Sequence, residues 1–134
     1  MAAGPVLGID PGTRKCGYAI VAQAGAPPLA MGIELTEDLA ERVGLLLRTY
    51  APGAIALGAG TNGKNVAALL AGSGLPIHIT DEVATTLRAR VRYFADNPPR
   101  GWRKFVPRGM LLPPRPIDDY AAVLIAETFL LSGI

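Results

Sequence analysis

Short apolar runs separated by turn residues open the chain. Pro5 to Asp10 is followed by the turn Pro11-Gly12-Thr13, and Gly17 to Gln23 is apolar again. Two such runs around a Gly-containing turn predict a hairpin. After Gly25-Ala26-Pro27-Pro28, Leu29 to Leu35 predicts a third strand, and links this short favour antiparallel pairing. The period then changes. Leu39, Val43, Leu46, Leu47 and Tyr50 recur at helical spacing behind Thr36, a good N-cap, with Glu37 and Asp38 where the helix dipole favours acids. Pro52-Gly53 stops that helix. Ala54 to Ala59 reads as a buried strand, Lys64 to Ala71 as a short helix closed by Gly72, and Pro76 to Thr80 as a strand. From Val83 to Phe94, the positions Val83, Leu87, Val91 and Phe94 keep helical spacing and are expected in the core, with Arg88 and Arg92 on another side. Asn97 to Pro116 holds six prolines and two glycines and reads as a long loop. A last helix, Ile117 to Leu131, follows Pro116 and carries two acids in its first turn.

The order is β-β-β-α-β-α-β-α-loop-α, an α/β chain with three strands before the first helix. A length of 134 residues, 50% of them hydrophobic, suits one domain over 1–134 with an ordinary core. Cys16 is the lone cysteine, so the chain has no internal disulfide and no four-ligand Cys/His zinc site. No apolar run approaches the roughly 20 residues of a membrane span. The start of the chain lacks a basic region followed by an apolar run. A soluble, cytoplasmic protein with no membrane partner is expected.

The net charge of +2 hides an uneven distribution. Arg88 to Arg115 carries eight basic residues against one acid, Asp96, which leaves five basic residues and ten acids elsewhere. A basic stretch beside an acidic remainder suits a phosphate backbone approached from one side, with the acids reserved for metal. A solvated cationic loop explains the same charges.

Carboxylates stand at three element ends: Asp10 after the first strand, Asp81-Glu82 after the last, and Asp118-Asp119 at the start of the final helix. Taken singly, each is explained by turn formation or helix capping. Taken together, Asp10, Glu82 and Asp118 form a set of hard oxygen ligands for Mg²⁺ or Mn²⁺ if the fold brings those ends together. Two such ions roughly 3.5–4 Å apart stabilise the attacking water and the leaving oxygen of a phosphodiester displacement.

Val6 to Val21, VLGIDPGTRKCGYAIV, resembles the first hairpin of RuvC-type Holliday-junction resolvases and of their YqgF/RuvX relatives, described as pre-16S rRNA nucleases. Ile77 to Arg88, IHITDEVATTLR, resembles the YqgF stretch in which Asp-Glu-Arg precedes two Thr residues, and Ile117 to Ala122, IDDYAA, resembles the YqgF ending. The resemblance implies the ribonuclease H-like fold, a mixed five-stranded sheet flanked by helices. It also implies a metal-dependent endonuclease whose ligands fall on Asp10, Glu82 and Asp118, with the neighbours Asp81 and Asp119 able to substitute or assist. Its substrates are rRNA precursor ends or four-way DNA junctions, and the sequence favours neither. Cutting a junction symmetrically requires a homodimer, and the sequence leaves monomer or homodimer open.

Three departures bear on this expectation. Val83 stands where YqgF proteins carry Arg, and Gly58 to Asn65 replaces the usual YqgF loop. No acid occurs between Glu41 and Asp81, whereas RuvC resolvases place one at the end of the strand read here as Ala54 to Ala59. Four-acid RuvC chemistry is therefore not expected.

Candidate nucleic-acid contacts are Thr13, Arg14 and Lys15 of the first turn, Lys64, Arg88 and Arg92, and Arg100, Arg103, Lys104 and Arg108 of the loop. Trp102 and Phe105 are candidates for base stacking. A module that binds nucleic acid with weak or no catalysis is the rival reading. Gly58 to Asn65, GAGTNGKN, matches a phosphate loop except that Asn65 replaces the Ser or Thr that ligates Mg²⁺, which disfavours nucleotide hydrolysis. Backbone N–H groups and Lys64 there still suit a phosphate of a nucleic-acid strand. Asp10-Pro-Gly-Thr13 also resembles the phosphate turn of sugar kinases and actin-like ATPases, but those need two such domains. His78 and Cys16 are assigned no role.

Overall fold

A computed structural model of the chain describes residues 4–60, 62–80, 85–99, 101 and 113–132. Asp81, Glu82, Val83, Arg100, Trp102, Arg103, Lys104, Phe105 and Arg108 lie outside the described residues. The described chain forms strands β1 (Val6–Asp10), β2 (Lys15–Val21), β3 (Ala30–Leu35), β4 (Ala54–Gly58) and β5 (Ile77–Thr80). The helices are α1 (Leu39–Tyr50), α2 (Gly63–Leu70), α3 (Thr85–Asp96) and α4 (Asp118–Leu131). The sheet order is β3-β2-β1-β4-β5, with β2 and β3 antiparallel and β1, β4 and β5 mutually parallel. This is the mixed five-stranded sheet expected from the ribonuclease H-like resemblance.

Parallel strands end at one edge, so the carboxyl ends of β1, β4 and β5, at Asp10, Gly58 and Thr80, line up there. Open α/β sheets bind ligands outside such an edge. Strands β1 and β4 are near-continuous apolar runs because both their faces are covered. On one face Leu7, Ile9, Ile20, Ile55 and Leu57 pack with Leu39, Val43 and Leu46 of α1 and with Val66 and Leu70 of α2. On the other, Val6, Ala19, Val21, Ala54 and Ala56 meet Ala122, Val123, Ile125, Ala126 and Phe129 of α4. Each large side chain so buried contributes about 1.5–3 kcal/mol.

The α4 face of the sheet is built from small residues, and that lets the helix sit unusually close. A side chain on Gly8 would place its Cβ 2.2 Å from the Ala122 carbonyl oxygen. One on Gly17 would lie 1.9 Å from the Asp118 carbonyl oxygen. Outside this layer α3 crosses α4 through Ala89, Tyr93 and Phe94 against Tyr120 and Leu124.

Two sequence expectations are corrected. Thr36 does not cap a regular helix: Thr36–Asp38 form a 3₁₀ turn before α1, and the Thr36 hydroxyl donates to the Gly12 carbonyl instead. On α3 the inward face is Ala89, Tyr93 and Phe94, while Val91 is 53% exposed. The reason is Glu127, buried on α4, which draws Arg92 inward and turns Val91 out. Among the described residues no helix is long and apolar enough to cross a membrane.

Candidate active site

Asp10 is the last residue of β1, and strand alternation puts it on the α4 face with Val6 and Gly8. Directly across the ladder its partner is Gly17. The same Gly17 admits the backbone of Asp118, so the first residue of α4 comes to rest beside the end of β1. Asp10 and Asp118 consequently line one open depression of about 320 Å³, together with Pro11, Gly12, Thr13, Arg14 and Lys15. Lys15 bridges to Asp118, Nζ to Oδ2, at 3.5 Å, with both side chains partly exposed. The donors are hard carboxylate oxygens, the type that suits Mg²⁺ or Mn²⁺, and the positive end of α4 beside them favours the carboxylate form of Asp118. Among the described residues no group of three His, Cys, Asp or Glu side chains gathers. Gly58 ends β4, so the fold puts no carboxylate at that strand end.

Asp119 does not join the pair. It is buried, its two oxygens accept from the Arg115 guanidinium at 3.2 and 3.3 Å, and Oδ1 also accepts from the Tyr120 backbone N–H. Arg115 in turn lies over the rings of Tyr93 and Tyr120, 5.5 and 5.7 Å from their centroids. The Tyr120 hydroxyl donates to Asp96 at 3.0 Å and accepts from the Asn97 amide at 3.4 Å. Burial, then the hydrogen bond to Asp96 and its charge, push the Tyr120 phenol above its ordinary value. This network fastens the end of α3 to the start of α4, immediately behind Asp118.

The predicted phosphate contacts divide. Thr13, Arg14 and Lys15 are exposed around the acid pair, and Arg88 is exposed on α3. Lys64, at the start of α2, lines a second opening of about 600 Å³ with Gly58, Asn62, Asn65 and Ile79. Arg92 is not available in the same way: its guanidinium binds both oxygens of Glu127 at 3.1 and 3.2 Å. Glu127 also accepts from the Gly25 N–H at 2.9 Å. Gly17, Arg115 and Asn62 carry no expected role in the sequence. Glycines inside strands are the readable sign of a close approach, and Arg115 stands four residues before Asp119, the spacing of a helical ion pair.

The fold is shared with Thermus thermophilus RuvC, at a TM-score of 0.60 and 19% identity over 96% of this chain and 94% of that one. The same protein in complex with a Holliday junction substrate aligns at 0.61 and 18% identity, covering 98% and 95%. No curated protein matches the chain. The family model described as crossover junction endodeoxyribonuclease RuvC matches residues 6–75, from the first residue of β1 to the approach to β5. That span is more than half of the 134 residues, and on it the chain belongs to the RuvC family.

Proposed function

We propose that this chain is a divalent-metal-dependent nuclease acting on branched DNA, with Asp10 and Asp118 as ligands of Mg²⁺ or Mn²⁺. The observation that carries the reading is the Gly17 contact, which joins the end of β1 to the start of α4 and puts both carboxylates in one depression. Membership of the RuvC family favours a DNA junction over an rRNA precursor, and Thermus thermophilus RuvC, a protein of the same fold, is solved in complex with a Holliday junction substrate. Glu82, which follows Thr80 by two residues in sequence, is the third proposed ligand.

A divalent metal held by Asp10 and Asp118 would supply an activated water and charge stabilisation at the leaving oxygen of the phosphodiester. Asp10 and Asp118 hold and orient it. Lys15, beside Asp118, keeps the pair of carboxylates from repelling one another and offers its ammonium to a substrate phosphate. Thr13, Arg14, Lys64 and Arg88, with Arg100, Arg103, Lys104 and Arg108, position the backbone, and Trp102 stacks on a base. Two copies related by a two-fold axis cut opposing strands.

The test uses a synthetic four-way DNA junction and a structured RNA of pre-16S type, each with Mg²⁺, Mn²⁺ or chelator. The expected result is junction cleavage that chelator abolishes and that Asp10→Asn or Asp118→Asn reduces by at least 10²-fold. Equal cutting by wild type and both variants rejects the metal site. Preferred cutting of the RNA moves the substrate to rRNA, and salt-sensitive binding without cutting leaves a binding module, the reading that the acid-free end of β4 favours.

A further inference from the structure

The turn that follows Asp10 is tied down at a single atom. The Gly12 carbonyl accepts from the Thr36 hydroxyl at 3.0 Å and from the Asn62 side-chain amide at 3.0 Å, and the Cys16 thiol stands 3.7 Å away. Cys16 and Thr36 flank this turn through the strands of its own sheet edge. Asn62 reaches it from fifty residues along the chain, out of the loop between β4 and α2. Its carboxamide oxygen is taken by the Asn65 amide at 2.5 Å, which leaves the nitrogen to face Gly12. Asn65 is the residue that breaks the phosphate-loop pattern, and here it orients Asn62.

Asn62 adopts φ 67 and ψ 16, the left-handed region that glycine occupies freely and other residues occupy at a cost. Its side chain does not cap α2. Asparagine tolerates that conformation better than most residues, and here it also supplies an amide that reaches Gly12. The bond joins two surfaces: the depression holding Asp10, and the opening over α2 lined by Asn62 and Lys64.

We propose that Asn62 is a positioning residue for the Asp10 site, its amide fixing the turn that carries Asp10, Thr13 and Lys15 against the start of α2. This rests on the nuclease reading above. Displacing a reacting group by about 1 Å costs on the order of 10²-fold in rate. Substrate affinity is spread over many phosphate contacts, so loosening the turn lowers kcat and leaves KM largely intact.

Asn62→Gly is the discriminating variant, because glycine relieves the left-handed backbone while removing the amide. Asn62→Asp keeps the shape and the tolerance for that conformation but sets a carboxylate against the Gly12 carbonyl. With the full chain, Mn²⁺ and a four-way DNA junction, Asn62→Gly is expected to unfold at the wild-type urea midpoint. Its kcat falls about 10-fold, its KM stays within about 2-fold, and its Mn²⁺ half-saturation rises several-fold; Asn62→Asp loses at least as much kcat. Wild-type kcat and Mn²⁺ dependence in Asn62→Gly, while Asp10→Asn is inactive, overturn the proposal and leave the nuclease reading intact. If wild type cuts nothing, that reading has failed and Asn62 is judged on Mn²⁺ broadening of the Gly12 and Thr13 amide NMR signals. Weaker broadening in Asn62→Gly supports the proposal, and broadening equal in the two proteins or absent from both overturns it.

Discussion

Adjacent residues on a helix point about 100° apart, and that rotation separates Asp118, on the depression shared with Asp10, from Asp119, buried against Arg115. The two acids are expected to respond oppositely to the same change. Asp118→Asn removes a partly exposed pair with Lys15, worth less than about 1 kcal/mol, but abolishes metal-dependent cleavage. Asp119→Asn weakens a bidentate pair with one buried member and one exposed member, which places its cost near 1–2 kcal/mol, between surface and buried pairs. It keeps measurable cleavage. Urea unfolding and junction cleavage on both variants check this, and identical behaviour of the two is the result that sinks it. Sequence reasoning left the choice between Asp118 and Asp119 to resemblance because both lie in the same first turn. What separates them is Arg115, whose partner is fixed by packing on Tyr93 and Tyr120 that no local pattern reveals.

Elements meet where side chains are missing. Because a Cβ on Gly17 would overlap the backbone of Asp118, Gly17→Ala must push the start of α4 off β2. Overpacking of this kind costs roughly 1–3 kcal/mol, and here it also parts Asp118 from Asp10. The expected outcome is a lower melting temperature and a loss of cleavage that added Mn²⁺ does not restore. A wild-type rate in Gly17→Ala would show that the helix start is not what brings the acids together. The α3–α4 junction adds a pH signature. Folding raises the Tyr120 phenol above the ordinary 10.0, so the folded state holds that proton more tightly than the unfolded one. Its contribution is complete below about pH 10 and is lost as pH rises through the folded value. Tyr120→Phe should flatten the fall in urea stability above pH 10, and an unchanged fall assigns it to another group. The strands and all four helices were legible from apolar spacing, but the inward face of α3 was not. Periodicity placed Val91 inside, whereas Glu127, a buried acid on another helix, claims Arg92 and rotates the face.

Across the whole molecule, the proposed polyanion affinity falls to those of the eight basic residues between Arg88 and Arg115 that no acid already holds, which excludes Arg92 and Arg115. Junction affinity should fall linearly in log K against log salt, and Arg88→Ala should reduce the slope by about 0.9, the share of one phosphate. Arg92→Ala should leave the slope and lower stability instead, since its charge is already bound to Glu127. Equal slopes for Arg88→Ala and wild type remove α3 from the interface. The basic stretch itself has its two ends moored to one side chain: Asn97 bonds the Tyr120 hydroxyl, and Arg115 lies over the Tyr120 ring. Loop length is a cheap variable, because doubling a loop costs only about 0.6 kcal/mol. Chain inserted or removed between Asn97 and Arg115 should therefore cost the α3–α4 junction that holds those two residues little stability.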